Sequence, residues 1–239
     1  MKIGLVCPYN IERSGGVLEV ILALKTGLEK RGHQVKIITP YPRNHDVKPQ
    51  KDIIFVGTST DFRTLSFSET TSQVSSTADT EEIDAMLAEE EFDILHFHEP
   101  WMPLLSRQLL QRSTSVNIGT FHAKVSDAMM SRSILKVVNP YLKSVMKYLH
   151  ELTAVSPAGA EYAAGITDLP ITIIPNGIDL KKYRAPQAHK KRDGKTLLFI
   201  GRLERRKGVQ YLLRAYSQLT QDNPDLKLII AGDGPERER

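Results

Sequence analysis

Phe199-Ile-Gly-Arg-Leu-Glu-Arg-Arg-Lys-Gly208 holds the densest chemistry in the chain. An apolar run ends at Gly201, and Arg202 and Lys207 flank a short loop that leads into a helical pattern. Two cations beside a glycine and a helix N-terminus suit a diphosphate, because unpaired amides and the helix dipole both favour negative charge. The alternative is a solvated basic loop. Gly15-Gly16 follows the first apolar run and opens the first helical pattern, so the same chemistry is available there, against a plain tight turn. The spacing is not Gly-x-Gly-x-x-Gly, which argues against a dinucleotide-binding dehydrogenase.

His96, His98, Glu99 and Pro100 stand where a strand ends, which is where open α/β sheets collect ligand contacts. His-x-His-Glu suggests a metal, but no cysteine or acidic third ligand follows at an obvious spacing, and no metal is expected. Polar strand-end residues bonding to neighbouring loops is the simpler account. His122 closes Gly119-Thr-Phe-His at another strand edge. It could meet a diphosphate or a sugar hydroxyl, or serve the fold alone. Ile174-Pro-Asn-Gly-Ile-Asp179 reads as a strand and a turn, with Asn-Gly supplying unusual dihedrals and Asp179 structural. Ala231-Gly-Asp-Gly-Pro235 is a further glycine-rich strand end.

The elements that must position these residues alternate as strand, glycine-containing loop and helix, the reading of a parallel α/β sheet. Strands are expected at Lys2–Pro8, Val35–Thr39, Asp93–Phe97, Val116–Thr120, Leu152–Val155, Ile171–Ile174, Thr196–Ile200 and Lys227–Ala231. Helices are expected at Val17–Arg31, Thr80–Glu91 and Val209–Thr220, with Thr80 as a cap and Glu81 and Glu82 in its first turn. A long helical stretch between Lys124 and Glu151 is broken or kinked at Pro140. The Ser/Thr-rich residues 57–80 carry no assigned element before Thr80. Lys181–Gly194 is charged and poor in apolar residues, as linkers are. The expected organisation is a Rossmann-like domain over 1–184, a linker over 185–194 and the start of a second Rossmann-like domain over 195–239. Strand, helix and strand cannot bury both faces of a sheet, so the second domain reads as cut short.

Composition narrows the partners. Of 239 residues, 41% are hydrophobic and 25% charged, the balance of a globular protein with a buried core. Residues 185–239 hold 12 Lys/Arg against 7 Asp/Glu, while the rest of the chain is net −1. Positive charge confined to one end favours an anionic ligand there over a nucleic-acid surface. Cys7 is the only cysteine, so no intrachain disulfide can form and a reducing compartment fits. A first strand at Lys2 leaves no room for a signal peptide, and no apolar run approaches the ~20 residues of a membrane helix. A cytoplasmic protein is expected. Between Lys124 and Lys147, five basic residues alternate with apolar ones, which would allow peripheral contact with anionic lipid if that apolar side were not packed on the sheet.

In their order and spacing these pieces resemble glycosyltransferase family 4, and within it the phosphatidylinositol mannosyltransferases. The resemblance runs from Lys2-Ile-Gly-Leu-Val-Cys-Pro-Tyr9 through Gly15-Gly16-Val17, Leu95-His-Phe-His-Glu-Pro100, Thr120-Phe-His122, Ala154-Val-Ser156 and Ile174–Asp179 to Gly201-Arg202 and Arg206-Lys-Gly208. It implies a GT-B fold of two Rossmann-like domains and a reaction with retention of configuration. The donor is a nucleotide diphosphate-sugar, a co-substrate rather than a cofactor, and the acceptor is a lipid or a saccharide. It assigns His122 to the transferred sugar, Gly15, Gly16, Arg202 and Lys207 to the donor diphosphate, and Tyr9 and Lys124 to the acceptor. Three departures bear on this. The family's pair of glutamates for sugar and ribose would fall beyond Arg239. Asp79–Glu91, with seven acidic residues and no basic one, stands where those relatives have a basic amphipathic helix. Trp101 stands where they have asparagine. The readings that compete with an active transferase are a binding module without turnover and a nucleotide-sugar epimerase, and the 239-residue chain alone is expected to be inactive.

Overall fold

The computed structural model describes residues 1–12, 15–42, 50–63, 71–75, 78–102, 104–122, 132–183 and 194–238. The chain divides into two compact units, one formed by Met1–Phe62 with Ser72–Asp179 and the other by Arg63–Thr71 with Leu180–Arg239.

The first unit is built on one eight-stranded sheet. Its strands are β1 (Lys2–Val6), β2 (Gln34–Tyr41), β3 (Ile53–Arg63), β4 (Thr71–Ser75), β5 (Ile94–His98), β6 (Val116–Phe121), β7 (Glu151–Ala154) and β8 (Ile171–Ile173). They lie in the order β4-β3-β2-β1-β5-β6-β7-β8, and β1 pairs in parallel with both β2 and β5. The strand order reverses at β1, so the C-terminal ends of β1 and β5 flank a switch point, the place where such sheets bind ligands. Central strands are apolar on successive residues because helices cover both faces. Leu5 and Ile37 pack with Ile21 of α1 (Gly16–Glu29) on one face. Val6, Ile38, Phe97 and Phe121 pack on the other, against α2 (Thr80–Glu90), α3 (Leu105–Arg112), α4 (Arg132–Met146) and α5 (Pro157–Ala164).

Several local expectations change. The stretch after Gly57 is not element-free, since β3 runs through it to Arg63 and β4 follows. Helices α3 and α5 also go beyond the expected list; Ser156 caps α5 by accepting from the Gly159 amide at 3.2 Å, with Pro157 at its first position. Helix α2 is capped by Asp79 rather than Thr80, the Asp79 carboxylate accepting from the Glu81 amide at 3.0 Å. A carboxylate there satisfies an orphan amide and also meets the positive end of the dipole. Pro140 lies inside α4 without ending it. Neither Asn176 nor Gly177 takes a positive φ, so that turn does not use the dihedrals expected of Asn-Gly. The part of the basic stretch from Lys124 to Ser131 lies outside the described residues. Beyond it, Leu142, Val145 and Met146 are buried in the core while Lys143 and Lys147 are exposed, so there the apolar side packs on the sheet.

The second unit opens with a short turn at Leu180–Tyr183; the expected linker, apart from Gly194, lies outside the described residues. Two parallel strands follow, β9 (Thr196–Ile200) and β10 (Lys227–Ala231), joined through α6 (Val209–Asp222). One helix covers one face of such a pair. Leu198, Ile200 and Ile229 are each more than half exposed.

Candidate active site

Buried His98, Glu99 and Thr120 lie at the C-terminal ends of β5 and β6, beside β7. His96 and His98 alternate with Leu95 and Phe97, which are buried in the core, so both imidazoles fall on the opposite face of β5. Their rings stack with centroids 4.5 Å apart. His96 Nε2 lies 2.6 Å from Thr120 Oγ1, which lies 2.6 Å from Thr153 Oγ1, and Thr153 donates to the Gly119 carbonyl at 3.4 Å. The direction of that last bond sets the others: Thr120 donates to Thr153, and His96 donates from Nε2 to Thr120.

His98 meets His122 directly, Nδ1 to Nε2 at 2.8 Å. Glu99 holds the same residue from its backbone, its Oε1 accepting the His122 amide at 3.0 Å. The other oxygen of Glu99 accepts from the Trp101 indole. Glu99 is itself buried in the left-handed region at φ 54°, its amide donating to the Thr120 carbonyl at 2.9 Å. A non-glycine residue there costs about 1–3 kcal/mol, and such strain concentrates at functional sites. His122 is thus positioned twice, at its main chain by Glu99 and at its ring by His98.

Burial decides the protonation states here. It holds His122 down to about 4, and with a contribution from His122 it holds His96 down to about 4 as well. His98 is pushed well below its ordinary value by burial, then by His96 and His122. All three are neutral at pH 7. Tyr9, just after β1, is raised far above the usual tyrosine range by burial, then by the Glu99 charge and Cys7, so it remains a phenol able to donate. Tyr162 is pushed up to about 12 by burial and then Glu99. Burial raises Cys7 to about 11, against a hydrogen bond to the Tyr9 carbonyl, which leaves it a thiol and no nucleophile.

Tyr9, His98, Glu99 and His122 therefore share one electrostatic neighbourhood. Gly15 and Gly16 open α1, with Gly15 extended at φ −171° and nothing within 4 Å of a Cβ at either position. Neither the backbone conformation nor the packing of the described residues demands glycine there, which weakens the tight-turn account. Lys124 lies outside the described residues. Among those described, no three His, Cys, Asp or Glu side chains converge as metal ligands.

In the second unit Arg202 and Lys207 bracket the loop after β9. Arg202 is 55% exposed, and its Nε lies 2.7 Å from Oε1 of Glu204, whose side chain is 1% exposed. A buried carboxylate thus aims an exposed guanidinium. Arg205–Lys207 forms a short 3₁₀ turn, and Gly208 at φ 73° leads into α6. The loop is braced from behind: Leu203 donates to the Asp233 carbonyl at 2.8 Å, and a Cβ on Gly232 would stand 1.8 Å from the Gly201 carbonyl oxygen. Gly232 and Gly234 are needed for this close backbone approach.

The model of "Glycosyltransferase Family 4" matches residues 14–182, most of the chain. The chain belongs to glycosyltransferase family 4. A second model, "Glycosyl transferases group 1", matches residues 181–239. This family 4 chain is 30% identical over 247 residues to the phosphatidyl-myo-inositol mannosyltransferase of Mycolicibacterium smegmatis, an alignment covering 100% of the chain and 60% of that enzyme. It is 25% identical to the alpha-monoglucosyldiacylglycerol synthase of Streptococcus pneumoniae, over 98% of the chain and 56% of the enzyme. The chain spans about three fifths of the length of these curated relatives. Sucrose-phosphate synthase from Thermosynechococcus elongatus has the same fold, with a TM-score of 0.66 and 18% identity over 99% of the chain and 63% of that structure. The fold of the family 4 chain is of the GT-B type. No helix among its described residues is long and apolar enough to cross a membrane.

Glu99 was legible in the sequence only as a polar strand-end residue. Nothing local marked it as the anchor of His122, and nothing marked Glu204 as the support of Arg202. Thr120 was marked only as part of Thr120-Phe-His122, and Thr153 carried no signal, since threonine is an ordinary strand residue.

Proposed function

We propose that this chain carries the acceptor-side domain and the opening of the donor-side domain of a retaining hexosyltransferase. It moves a mannose- or glucose-type unit from a nucleotide diphosphate-sugar to a lipid or saccharide acceptor. The observation that carries the reading is His122, a neutral imidazole fixed by His98 and Glu99 at the edge of β6, in a chain of glycosyltransferase family 4. A neutral imidazole cannot offset phosphate charge. It suits a hydrogen bond to a sugar hydroxyl, and leaves charge compensation to other groups.

Arg202 and Lys207 fill that second role. In the transfer, the bond from the anomeric carbon to the diphosphate oxygen breaks and the nucleoside diphosphate leaves with an added negative charge. The acceptor hydroxyl oxygen bonds to the anomeric carbon and passes its proton to the departing diphosphate. The fixed guanidinium of Arg202, the Lys207 ammonium and the N-terminus of α6 favour the charge that develops on the leaving group. Gly15 and Gly16 offer backbone amides at the start of α1 to a donor phosphate, and Tyr9 and Lys124 attend the acceptor. The two relatives, one named for a lipid it mannosylates and one for a glucolipid it makes, favour a lipid acceptor.

The test is mass spectrometry of products from the full-length protein, offered a panel of nucleotide diphosphate-sugars with lipid and saccharide acceptors. Release of nucleoside diphosphate is expected, with the transferred sugar keeping the donor's anomeric configuration, read from the anomeric proton coupling in NMR of the product. Inverted product would overturn the retaining mechanism. Interconversion of nucleotide-sugars without loss of the nucleotide would favour an epimerase, and binding without any turnover would favour a binding module.

A further inference from the structure

The contact between His98 and His122 joins two neutral imidazoles, so one ring must donate and the other accept. The choice is set by what each ring leaves over. His98 is 1% exposed, and its Nε2 is buried with no hydrogen-bond partner among the described residues. Were His98 to accept at Nδ1, its proton would sit on Nε2 as a buried donor with nothing to receive it. Orphaned buried N–H groups are rarer than orphaned acceptors and carry a full desolvation penalty. With the proton on Nδ1, the group left unpaired is a lone pair instead. His96 does not supply the missing partner: its ring stacks on that of His98, and no hydrogen bond links the two.

We propose that His98 is a positioning residue that sets the tautomer of His122: its Nδ1–H donates to His122 Nε2, which forces the His122 proton onto Nδ1. This is the reverse of the Nε2–H form that histidine ordinarily favours in water. His122 Nδ1 has no partner among the described residues, and the side chain is only half-buried, so Nδ1 is the nitrogen left for a ligand. His122 then meets that ligand as a hydrogen-bond donor and not as a base. The Glu99 carboxylate, accepting from the His122 amide, fixes the main chain from which the ring projects. Burial supports the assignment, since it keeps both rings neutral at pH 7.

The bearing on turnover rests on the transferase reading; the tautomer does not, so it is measured without sugar or nucleotide. Nitrogen-15 NMR of the histidine rings distinguishes protonated from bare nitrogen, and couplings to the ring protons distinguish Nδ1 from Nε2. In the unsubstituted protein at pH 7.5, His122 is expected as Nδ1–H with Nε2 bare. In His98→Phe that signature should be lost in favour of Nε2–H. In His98→Asn, whose amide can replace the Nδ1–H donor, it should be retained. Nε2–H at His122 in the unsubstituted protein, or an unchanged tautomer in folded His98→Phe, would overturn the proposal. If His98→Phe does not fold, the unsubstituted protein and His98→Asn decide it: Nδ1–H in both supports the assignment, and Nε2–H in either overturns it.

Discussion

Three imidazoles packed against one another would repel if charged, and burial removes the charge from each. In the unfolded chain each takes up a proton near pH 6.5, whereas in the folded protein His96 and His122 do so only near 4 and His98 lower than its ordinary range. Protonation therefore favours the unfolded chain. The stabilisation is fully present above about pH 6.5 and is lost as the pH falls towards 4. Each histidine that is charged unfolded and neutral folded steepens the loss by up to about 1.4 kcal/mol per pH unit. Urea denaturation at pH 7.5, 6 and 5 should show stability dropping through this window, with a shallower drop in His98→Asn. A flat profile between pH 7.5 and 5 would contradict the burial of the cluster. Glu99 is a buried carboxylate whose two oxygens each accept a hydrogen bond, which is how a charge is tolerated inside a protein.

At the scale of elements, two positions separate a local rule from a tertiary one. The cap of α2 is a local matter. Asp79→Ala should cost about 1 kcal/mol, the ordinary value for losing a cap, while Thr80→Ala, already inside the helix, should cost little. Denaturation midpoints of the two variants compare them directly, and equal losses would move the cap back to Thr80. The loop after β9 is a tertiary matter. Gly232 sits against the backbone of Gly201, so Gly232→Ala must push apart β10 and the loop that carries Arg202. Overpacking of this kind costs about 1–3 kcal/mol. Because the displaced segment is backbone, the variant should also lose affinity for a nucleoside diphosphate. Normal affinity in the variant would show that the loop is not held by this contact.

For the whole molecule, charge and fold are divided between the two units. The first is a doubly covered sheet, and residues 1–184 are net −1, whereas residues 185–239 carry the positive excess, with Arg202, Arg205 and Lys207 gathered between β9 and α6. The chain should bind a nucleoside diphosphate weakly and in a salt-sensitive manner. Each charge-assisted contact is worth roughly 1.5–3 kcal/mol where water is excluded and less at an exposed loop, where salt screens it. Calorimetry at low and high salt should show affinity falling with salt, and falling again in Arg202→Ala and Lys207→Ala. Unchanged binding in both variants would remove them from the phosphate site. Glu204→Gln should give an intermediate loss, because Arg202 remains but is no longer held by a charge.

The alternation of strands and helices was legible in the sequence because each element is dictated by its own residues. Doubly buried strands are runs of apolar side chains, and the Arg202–Gly208 loop is a contiguous motif. The order of such motifs along the chain pointed to glycosyltransferase family 4 before any contact was known. Helix ends, where one acid competes with a neighbouring threonine for the same amides, were legible only to within a residue. The site itself was not local. His98 and His122 stand 24 positions apart and meet because β5 and β6 pair in parallel with His98 opposite Thr120. Glu99 reaches the His122 amide across the same pair of strands, and Gly232 meets Gly201 because β9 and β10 are neighbours. Residue types and motif order determined what chemistry was available, whereas the tertiary structure alone decided which side chains share a hydrogen bond. That choice depends on strand register and burial, and neither is written in any short stretch of sequence.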